Sequence, residues 1–279
     1  MPDRIIVVVG VGGMGEAIAR RIAPGSRLVI ADYSQAALDR VAAALEADGI
    51  DVVAHQVDVS SRESVAALAA SAASLGDVVT VAWTAGLSPV QAPTSAIVAV
   101  DLLGVAYGLE EFGAVIAEGG AGVVIASMAG TMAAEQLPAE LVGALALTPT
   151  DQLAALPFLQ EGGIPDPGAA YGIAKRGNQV RVRAASLAWG ARGARINSIS
   201  PGVISTPMGE QELAGESGAT MRAMVAASGT GRLGTPDDIV DAAAFLLGDE
   251  ASFITGTDLL VDGGVVAAVL SGALTLPRG

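Results

Sequence analysis

Tyr171 and Lys175 lie four residues apart in the segment Y-G-I-A-K, a spacing that could support proton transfer. Residues four apart on a helix share one face, so the lysine ammonium group would lie beside the phenol. The hydroxyl of tyrosine ordinarily has a pKa near 10. A nearby cation favours the phenolate and lowers that pKa by about 1–3 units, which makes the hydroxyl a competent general acid or base. Such a pair is also common on ordinary helix surfaces, so by itself it does not define an active site.

A glycine-rich segment, G-V-G-G-M-G, follows the first run of apolar residues. Gly10, Gly12 and Gly15 have the G-x-G-x-x-G spacing, and Gly13 and Met14 lie between them. A tight turn that approaches a pyrophosphate closely leaves no room for a Cβ atom, and the helix that follows offers free N–H groups to the phosphates. The alternative is a turn that only packs. The position of the segment between a predicted strand and a predicted helix favours dinucleotide binding.

Two acidic residues follow later strands at positions suited to an adenosine. Asp32 ends the second predicted strand, 17 residues beyond Gly15, and could accept hydrogen bonds from ribose hydroxyls. A 2′-phosphate there would meet like charge at a cost of about 1–4 kcal/mol, and no Arg or Lys occurs in the five residues after Asp32. NAD is therefore favoured over NADP, with a turn or helix-cap role for Asp32 as the alternative. Asp58 follows the third strand and could bind the adenine amino group or serve only in a turn.

These residues need an alternation of strands and helices to bring them together. Short Val- and Ile-rich runs without polar alternation predict strands that are buried on both faces, and amphipathic stretches follow them. The predicted strands are Arg4–Val9, Arg27–Ala31, Asp51–Val57, Val78–Ala82 and Gly122–Ala126, and the predicted helices are Gly13–Ile22, Ser34–Asp48 with Ser34 as N-cap, Ser61–Leu75 and Thr94–Ala117. This alternation predicts a doubly wound α/β fold around a parallel sheet.

The alternation is interrupted after Ser127. Residues 131–170 contain five prolines and two short apolar helical pieces without a strand, which predicts an insertion or a lid. The remaining predicted elements are a helix at Tyr171–Trp189, a strand at Ala194–Ile199, a Gly- and Ser-rich segment at Thr206–Gly231, a helix at Thr235–Leu247 and a strand at Asp258–Val261. We find no linker or repeat that would divide the chain, and we expect one domain over residues 1–279.

The composition argues against several classes of protein. The chain has no cysteine, which excludes disulfide frameworks and cysteine nucleophiles. Its single histidine argues against a His-rich metal site and a Ser-His-Asp hydrolase, so we expect no metal. A net charge of −14 argues against a nucleic-acid or anionic membrane surface. Although 52% of the residues are hydrophobic, no apolar stretch is long enough to span a membrane and no signal peptide is evident, so we expect a cytoplasmic protein.

Together these segments resemble the short-chain dehydrogenase/reductase family over nearly the whole chain. The resemblance rests on the glycine-rich turn, Asp32, the pair Ala85-Gly86, S-M-A-G at Ser127–Gly130 and Y-x-x-x-K at Tyr171–Lys175. Two longer segments are more specific, namely N-S-I-S-P-G-V-I-S-T-P at Asn197–Pro207, and G-R-L-G-T-P-D-D-I followed by F-I-T-G-T-D-L-L-V-D-G-G within Gly231–Gly264. Agreement of all these segments in this order is not a chance event.

The resemblance implies a function for each matched residue. Ser127 would hold the substrate oxygen, Tyr171 would give or take its proton, and Lys175 would bind the nicotinamide ribose and lower the pKa of Tyr171. The implied nucleotide-binding residues are Gly10, Gly12, Gly13, Met14, Gly15, Asp32, Asp58, Val59, Ala85, Gly86, Tyr171 and Lys175, together with Pro201, Gly202, Val203 and Thr206 against the nicotinamide carboxamide. Hydride would pass directly between the nicotinamide ring and the substrate carbon, with neither metal nor flavin.

Several positions depart from the family pattern. Trp83 and Thr84 replace two asparagines, so the polar bracing near the adenosine must differ. Asp101, in V-D-L-L-G, aligns with a catalytic asparagine that acts partly through its main-chain carbonyl and a water reaching the lysine. Asp101 is therefore a fourth catalytic candidate, although an ionised side chain would alter this relay. Ser127 and Tyr171 are 44 positions apart, against a dozen or so in the family, because of the insertion.

The favoured function is that of an NAD-dependent oxidoreductase which interconverts a secondary alcohol and a ketone. A non-catalytic dinucleotide-binding sensor or scaffold is the alternative, and the departures from the family pattern motivate it. The resemblance to the family also implies a homo-oligomer, either a dimer or a tetramer, and a mobile substrate lid over residues 206–231. A lipophilic substrate is suggested by apolar residues in that lid and in the insertion, namely Met208, Leu213, Met221, Met224, Leu153, Leu156, Phe158 and Leu159.

Overall fold

Seven apolar runs form the strands of one parallel sheet in the computed structural model, which describes residues 3–274. In chain order the strands are β1 (Arg4–Val9), β2 (Arg27–Asp32), β3 (Val52–Gln56), β4 (Asp77–Trp83), β5 (Ile116–Ile125), β6 (Arg195–Pro201) and β7 (Asp258–Val261). They lie side by side in the order β3-β2-β1-β4-β5-β6-β7. The direction of winding reverses between β1 and β4, and in such sheets this is where the carboxyl ends of the strands leave a crevice for a ligand.

Helices cover both faces of the sheet. They are α1 (Gly13–Ile22), α2 (Gln35–Ala47), α3 (Arg62–Leu75), α4 (Thr94–Ile97), α5 (Val105–Val115), α6 (Met128–Ala134), α7 (Ala139–Leu147), α8 (Thr150–Leu153), α9 (Pro167–Gly190), α10 (Pro207–Ala214), α11 (Gly218–Ala227), α12 (Pro236–Leu247) and α13 (Val265–Leu270), with 3-10 turns at Pro157–Leu159 and Asp249–Ala251. A π-helical segment at Val98–Gly104 joins α4 to α5, so these three pieces form one continuous helix.

The strand sequences are apolar on both faces because both faces are buried. In β1, Ile5 and Val7 pack into one core with side chains of α3, α5 and α9, whereas Ile6 and Val8 pack into a second core with side chains of α1, α2 and α12. All four residues are at most 5% exposed. The predicted doubly wound parallel α/β fold is therefore confirmed. Ser34 caps α2 as predicted, since its side chain accepts a hydrogen bond from the first turn of the helix.

The boundary between the long helix and the fifth strand differs from the prediction. The helix ends at Val115 rather than Ala117, and β5 begins at Ile116 rather than Gly122. Ile116 pairs with Val78, and the ladder is irregular immediately after this pair. An irregular start of this kind interrupts the regular apolar pattern on which strand prediction depends. The sequence therefore reveals only the regular second half of the strand.

Residues 131–170 form helices and turns without a strand, as predicted. Arg181 of α9 connects this segment to the rest of the fold through buried hydrogen bonds. Its guanidinium donates to the carbonyl oxygen of Leu145 at 3.1 Å and to Thr150 Oγ1 at 2.6 Å. The segment is therefore held against the helix that carries Tyr171.

The sequence does not predict the two helices, α10 and α11, in the segment after Thr206. Thr206 caps α10 through its side chain, and Pro207 occupies the first helical position. These are ordinary helix-start signals, but the high Gly and Ser content of the segment obscures them. In the same way α9 begins at Pro167 rather than Tyr171, because Asp166 caps it four residues earlier than predicted.

Within residues 3–274, no helix is both long and apolar enough to cross a membrane. The same part of the chain contains no group of three or more His, Asp or Glu side chains placed to hold a metal ion.

Candidate active site

A cavity of about 660 Å³ opens at the carboxyl ends of β1, β2 and β4. Most of the predicted nucleotide-binding residues line it, namely Gly10, Gly12, Gly13, Met14, Gly15, Asp32, Asp58, Val59, Ala85, Gly86 and Thr206. Further lining residues include Tyr33, Arg40, Ser60, Thr84, Leu87, Gln91, Val100, Pro207 and Met208. The cavity lies where the winding of the sheet reverses, which is the usual position of a dinucleotide in this architecture.

The glycine-rich turn has the shape that a pyrophosphate requires. Gly10 has a φ of +93°, a conformation that favours glycine. A Cβ atom on Gly15 would overlap the carbonyl oxygen of Gly10, so the close packing of α1 against the turn also depends on glycine. Helix α1 starts directly after Gly12, and no side chain caps its first N–H groups. These N–H groups and the positive end of the helix dipole fit the phosphates of a dinucleotide.

Thr84 and Trp83, the replacements for the two family asparagines, have separate roles. Thr84 Oγ1 donates a hydrogen bond to the carbonyl oxygen of Gly10 at 2.6 Å, so the end of β4 supports the glycine-rich turn. The Trp83 ring is buried, packs against Gly108 and meets Phe112 edge to face with ring centroids 6.4 Å apart. The bracing of the turn therefore comes from Thr84, and Trp83 fixes the long helix on the sheet.

The Asp32 carboxylate organises the part of the cavity at the carboxyl end of β2. Its Oδ2 accepts a hydrogen bond from Val11 N–H at 2.8 Å, and its Oδ1 accepts one from Ser34 N–H at 2.9 Å. Each carboxylate oxygen can accept a second hydrogen bond, so Asp32 can hold the turn and still receive ribose hydroxyls. Asp58 uses one oxygen in a local turn, where it accepts hydrogen bonds from the N–H (2.9 Å) and hydroxyl (2.6 Å) of Ser60.

Arg40 lines the same cavity and was not singled out from the sequence. It lies on α2, eight residues beyond Asp32, and the helix brings it back towards the cavity. Its guanidinium pairs with Glu16 of α1, with Nη1 and Oε2 2.8 Å apart. Because Glu16 offsets its charge, Arg40 is a weaker anion-binding group than an unpaired arginine would be.

Ser127, Tyr171 and Lys175 do not line this cavity but come together beside its wall at Gly86, although 44 positions separate the serine from the tyrosine. Ser127 caps α6, where its hydroxyl accepts a hydrogen bond from Ala129 N–H at 3.1 Å. Helix α6 packs against α9, which brings the Ser127 hydroxyl close enough to the Tyr171 phenol to lower its pKa. Lys175 Nζ lies 5.4 Å from the centre of the Tyr171 ring. The intervening residues 131–170 therefore do not separate the three side chains.

Asp101 forms a buried ion pair with Lys175. Its Oδ2 lies 3.2 Å from Lys175 Nζ, and the two side chains are 0% and 5% exposed. Asp101 Oδ1 accepts a hydrogen bond from Leu87 N–H at 2.8 Å, and Lys175 Nζ donates to the carbonyl oxygen of Ile125 at 3.2 Å. A Cβ atom on Gly86 would lie 3.1 Å from the carboxylate and 3.2 Å from the ammonium group, so the pair lies directly behind this part of the cavity wall.

The pKa of Tyr171 is above its usual value near 10, so the predicted lowering is wrong for the groups that the chain itself supplies. Burial is the largest cause, because it disfavours the phenolate. Lys175 lowers the pKa as predicted, but the negative charge of Asp101 raises it again. Ser127 lowers it through a hydrogen bond, and Glu212 of α10 raises it. Glu212 was not recognised from the sequence, because nothing in the local pattern places this lid residue near the tyrosine.

The remaining predicted site residues lie at the end of β6 and in the segment that leads to α10. Pro201 ends β6, Gly202 N–H donates to the carbonyl oxygen of Val261 at 2.9 Å, and Val203 is buried beside Met128. The apolar residues assigned to one pocket wall divide into two groups. Leu213, Met221 and Met224 cluster with Met128, whereas Leu153, Leu156, Phe158 and Leu159 cluster with Tyr171. The two groups therefore belong to separate apolar clusters, one that contains Met128 next to Ser127 and one that contains Tyr171, and Met208 lines the cavity.

Two family models match the chain over most of its length. The model described as short chain dehydrogenase matches residues 4–139, and the model described as enoyl-(acyl carrier protein) reductase matches residues 154–266. Among similar proteins, the short-chain dehydrogenase/reductase bsc3 of Alternaria brassicicola is 43% identical, covering 96% of this chain and 97% of that protein. The meso-2,3-butanediol dehydrogenase of Serratia marcescens is 32% identical, covering 95% of this chain and 96% of that protein.

Solved structures agree with these matches. The crystal structure of a levodione reductase superposes with a TM-score of 0.75 at 26% identity, covering 96% of this chain and 99% of the other. A short-chain type dehydrogenase/reductase from Mycobacterium ulcerans superposes with a TM-score of 0.74 at 22% identity, covering 96% and 91% of the two chains. The second likeness concerns the fold alone.

Proposed function

Because the chain belongs to the short-chain dehydrogenase/reductase family and is an oxidoreductase of CH–OH groups, we propose that it interconverts a secondary alcohol and a ketone with NAD, using Tyr171 as the general acid and base. The observation that carries this proposal is the convergence of Ser127, Tyr171 and Lys175 beside a cavity whose glycine-rich turn suits a dinucleotide, with Lys175 directly behind the cavity wall at Gly86. Nothing in the comparisons supports the alternative of a non-catalytic sensor or scaffold. A cytoplasmic location and a homo-oligomeric assembly remain predictions.

Each catalytic side chain has a defined task in this proposal. The Ser127 hydroxyl holds the substrate oxygen by a hydrogen bond, and the Tyr171 hydroxyl gives that oxygen a proton or removes one. Lys175 orients the nicotinamide ribose and provides the positive charge beside the phenol. The segment Pro201–Val203 and Thr206 supports the carboxamide. When bound, the nicotinamide supplies or accepts the hydride.

The preference for NAD rests on the charge at the adenosine end of the cavity. The Asp32 carboxylate is held in place by Val11 N–H and Ser34 N–H, so it cannot turn away from a 2′-phosphate without losing two hydrogen bonds. Like charges in this position repel by about 1–4 kcal/mol. The nearby Arg40 is paired with Glu16, which limits its ability to compensate.

Replacement of Asp32 tests the cofactor preference. Asp32→Ala is expected to lower the ratio of the NADPH dissociation constant to the NADH dissociation constant, because the repulsion of the 2′-phosphate is lost. Asp32→Asn is the matched control for the turn, since its amide oxygen can still accept from Val11 N–H while the charge is removed. Fluorescence titration with NADH and NADPH measures both ratios. Ratios equal to that of the wild type in both variants would count against the ribose role of Asp32.

We propose a substrate with a lipophilic body. The two apolar clusters support this, because one contains Tyr171 and the other contains Met128 next to Ser127, so a substrate bound at these two residues would lie close to apolar side chains of both clusters. The names of the relatives do not narrow the choice, since they include dehydrogenases of cis-4-hydroxycyclohexanecarboxylate, D-threitol and galactitol. The charge of Glu212 at the edge of the site disfavours anionic groups next to the reacting carbon.

A substrate panel tests the proposed function directly. Purified protein is titrated with NADH and NADPH, and then assayed with lipophilic secondary alcohols and polyols in the presence of NAD, with NADH absorbance as the readout. The reverse assay uses the corresponding ketones and NADH. Turnover of at least one pair in both directions is expected. Tight dinucleotide binding without turnover of any substrate would favour the sensor or scaffold instead.

A further inference from the structure

The polar and charged groups around Tyr171 come from four different elements. Lys175 lies on the same helix, α9, and Asp101 lies in the π-helical segment Val98–Gly104. The Ser127 hydroxyl comes from the start of α6, and Glu212 comes from the lid helix α10. The site thus contains one cation and two carboxyl groups, so the positive charge of Lys175 does not exceed the negative charge that its two acidic neighbours can carry.

The ion pair with Asp101 changes what Lys175 can do for the phenol. At 3.2 Å and with side-chain exposures of 0% and 5%, the carboxylate and the ammonium group form a dipole rather than an isolated cation. The potential of such a pair falls off faster with distance than that of a single charge. Lys175 Nζ is 5.4 Å from the centre of the Tyr171 ring, so the carboxylate cancels part of the stabilisation that the cation offers a phenolate.

The position of Asp101 is built into the fold. The helix that carries it passes through a π-helical segment that packs on α9, and π-helical turns change which side chains face a neighbouring helix. The second carboxylate oxygen is fixed by Leu87 N–H at 2.8 Å, so the side chain cannot rotate away without leaving that donor unpaired. The contact with Lys175 is therefore a lasting part of the site.

This inference rests on the proposed function: we propose that the Asp101 carboxylate partly neutralises Lys175 and so keeps the Tyr171 phenol protonated at neutral pH. The site is then a proton donor for ketone reduction at neutral pH, whereas alcohol oxidation requires alkaline pH. In reduction, the phenolic proton passes to the carbonyl oxygen as the carbonyl carbon receives hydride from the reduced dinucleotide. The ketone is reduced, the dinucleotide is oxidised, and the phenolate regains its proton from solvent. Oxidation requires the reverse, a phenolate that accepts the proton of the alcohol. Asp101 is thus a positioning residue that acts through Lys175.

A spectroscopic titration tests this inference without any substrate. The chain has three tyrosines, and the near-ultraviolet absorbance of tyrosinate, measured against Tyr171→Phe, isolates the signal of Tyr171. Asp101→Asn keeps the shape of the side chain and an acceptor for Leu87 N–H while it removes the charge. We expect it to lower the titration midpoint of Tyr171 by about 1–3 pH units. Glu212→Gln, which removes the more weakly acting carboxyl group, is expected to produce a smaller shift in the same direction.

The outcomes separate this inference from the proposed function. An unchanged or higher midpoint in Asp101→Asn overturns the inference, whatever the enzyme turns over. A lower midpoint without turnover of any substrate upholds the charge effect and overturns the proposed function. With a substrate in hand, the kcat/KM of oxidation at neutral pH is expected to rise about tenfold for each unit by which the midpoint falls. Asp101→Ser provides a second neutral variant if the asparagine variant does not fold.

Discussion

Tyr171→Phe is expected to lower kcat by about 10²- to 10⁴-fold in both directions, the range that general acid–base catalysis contributes. The variant loses only the hydroxyl oxygen, so the ring keeps its packing in the apolar cluster that includes Leu153 and Phe158 and its place beside Lys175. The glycine-rich turn and Asp32 are untouched, and NADH affinity should be that of the wild type. Steady-state kinetics and a binding titration on the same preparation separate the two quantities.

Tyr107→Phe is the matched control for the loss of a tyrosine hydroxyl. Tyr107 lies on α5 and packs partly buried against the core, away from the residues that line the nucleotide cavity. Its replacement should leave kcat and NADH affinity unchanged. If Tyr171→Phe retained wild-type turnover, the phenol would have no part in proton transfer, and another group would have to serve as the acid and base.

Lys175→Met is expected to destabilise the protein by about 3–5 kcal/mol at neutral pH, the usual cost of removing one partner of a buried ion pair. Methionine has a similar volume but leaves the Asp101 carboxylate, which is 0% exposed, without its counter-charge. Turnover should be lost as well, because the proposed ribose contact and the charge beside Tyr171 both disappear. Urea unfolding monitored by circular dichroism measures the change in the free energy of unfolding.

The double variant Asp101→Asn, Lys175→Met shows whether the unpaired charge is the cause. It should be more stable than Lys175→Met, with a coupling free energy of about 1–3 kcal/mol in the double-mutant cycle. If the losses in the free energy of unfolding of Asp101→Asn and Lys175→Met add up to the loss in the double variant, the pair contributes no specific interaction.

The pH dependence of Lys175→Met gives an independent check. Burial already raises the pKa of Asp101 in the wild type against the lowering effect of Lys175, and loss of that cation raises the pKa further. A carboxyl group with a raised pKa in the folded state binds its proton more readily there than in the unfolded chain. The loss of stability caused by Lys175→Met should therefore be present at neutral pH. It should diminish as the pH falls through the raised pKa of Asp101 towards the ordinary value of 3.8. A penalty that is constant with pH would not come from the Asp101 charge.

Much of the fold and part of the site could be predicted because their signals are local. The spacing of Gly10, Gly12 and Gly15 after a Val-rich run requires a tight turn between a strand and a helix, whatever the rest of the chain does. Runs such as Arg4–Val9 are apolar at successive positions only if both faces of the strand are covered. Helix periodicity likewise places Tyr171 and Lys175 on one face. These conclusions depend on neighbouring residues alone.

Only the tertiary structure decided which charges meet. The Asp101–Lys175 pair, the Arg40–Glu16 pair and the approach of Glu212 to Tyr171 each join elements that are distant in the sequence. Each residue turns a helix by about 100°, so a π-helical segment such as Val98–Gly104 changes the face on which later side chains lie. Burial then strengthens the Asp101–Lys175 contact, because little water reaches the pair to screen it. For this reason the tyrosine and its lysine were visible in the sequence, whereas the direction of the net pKa shift of Tyr171 required the positions of Asp101 and Glu212.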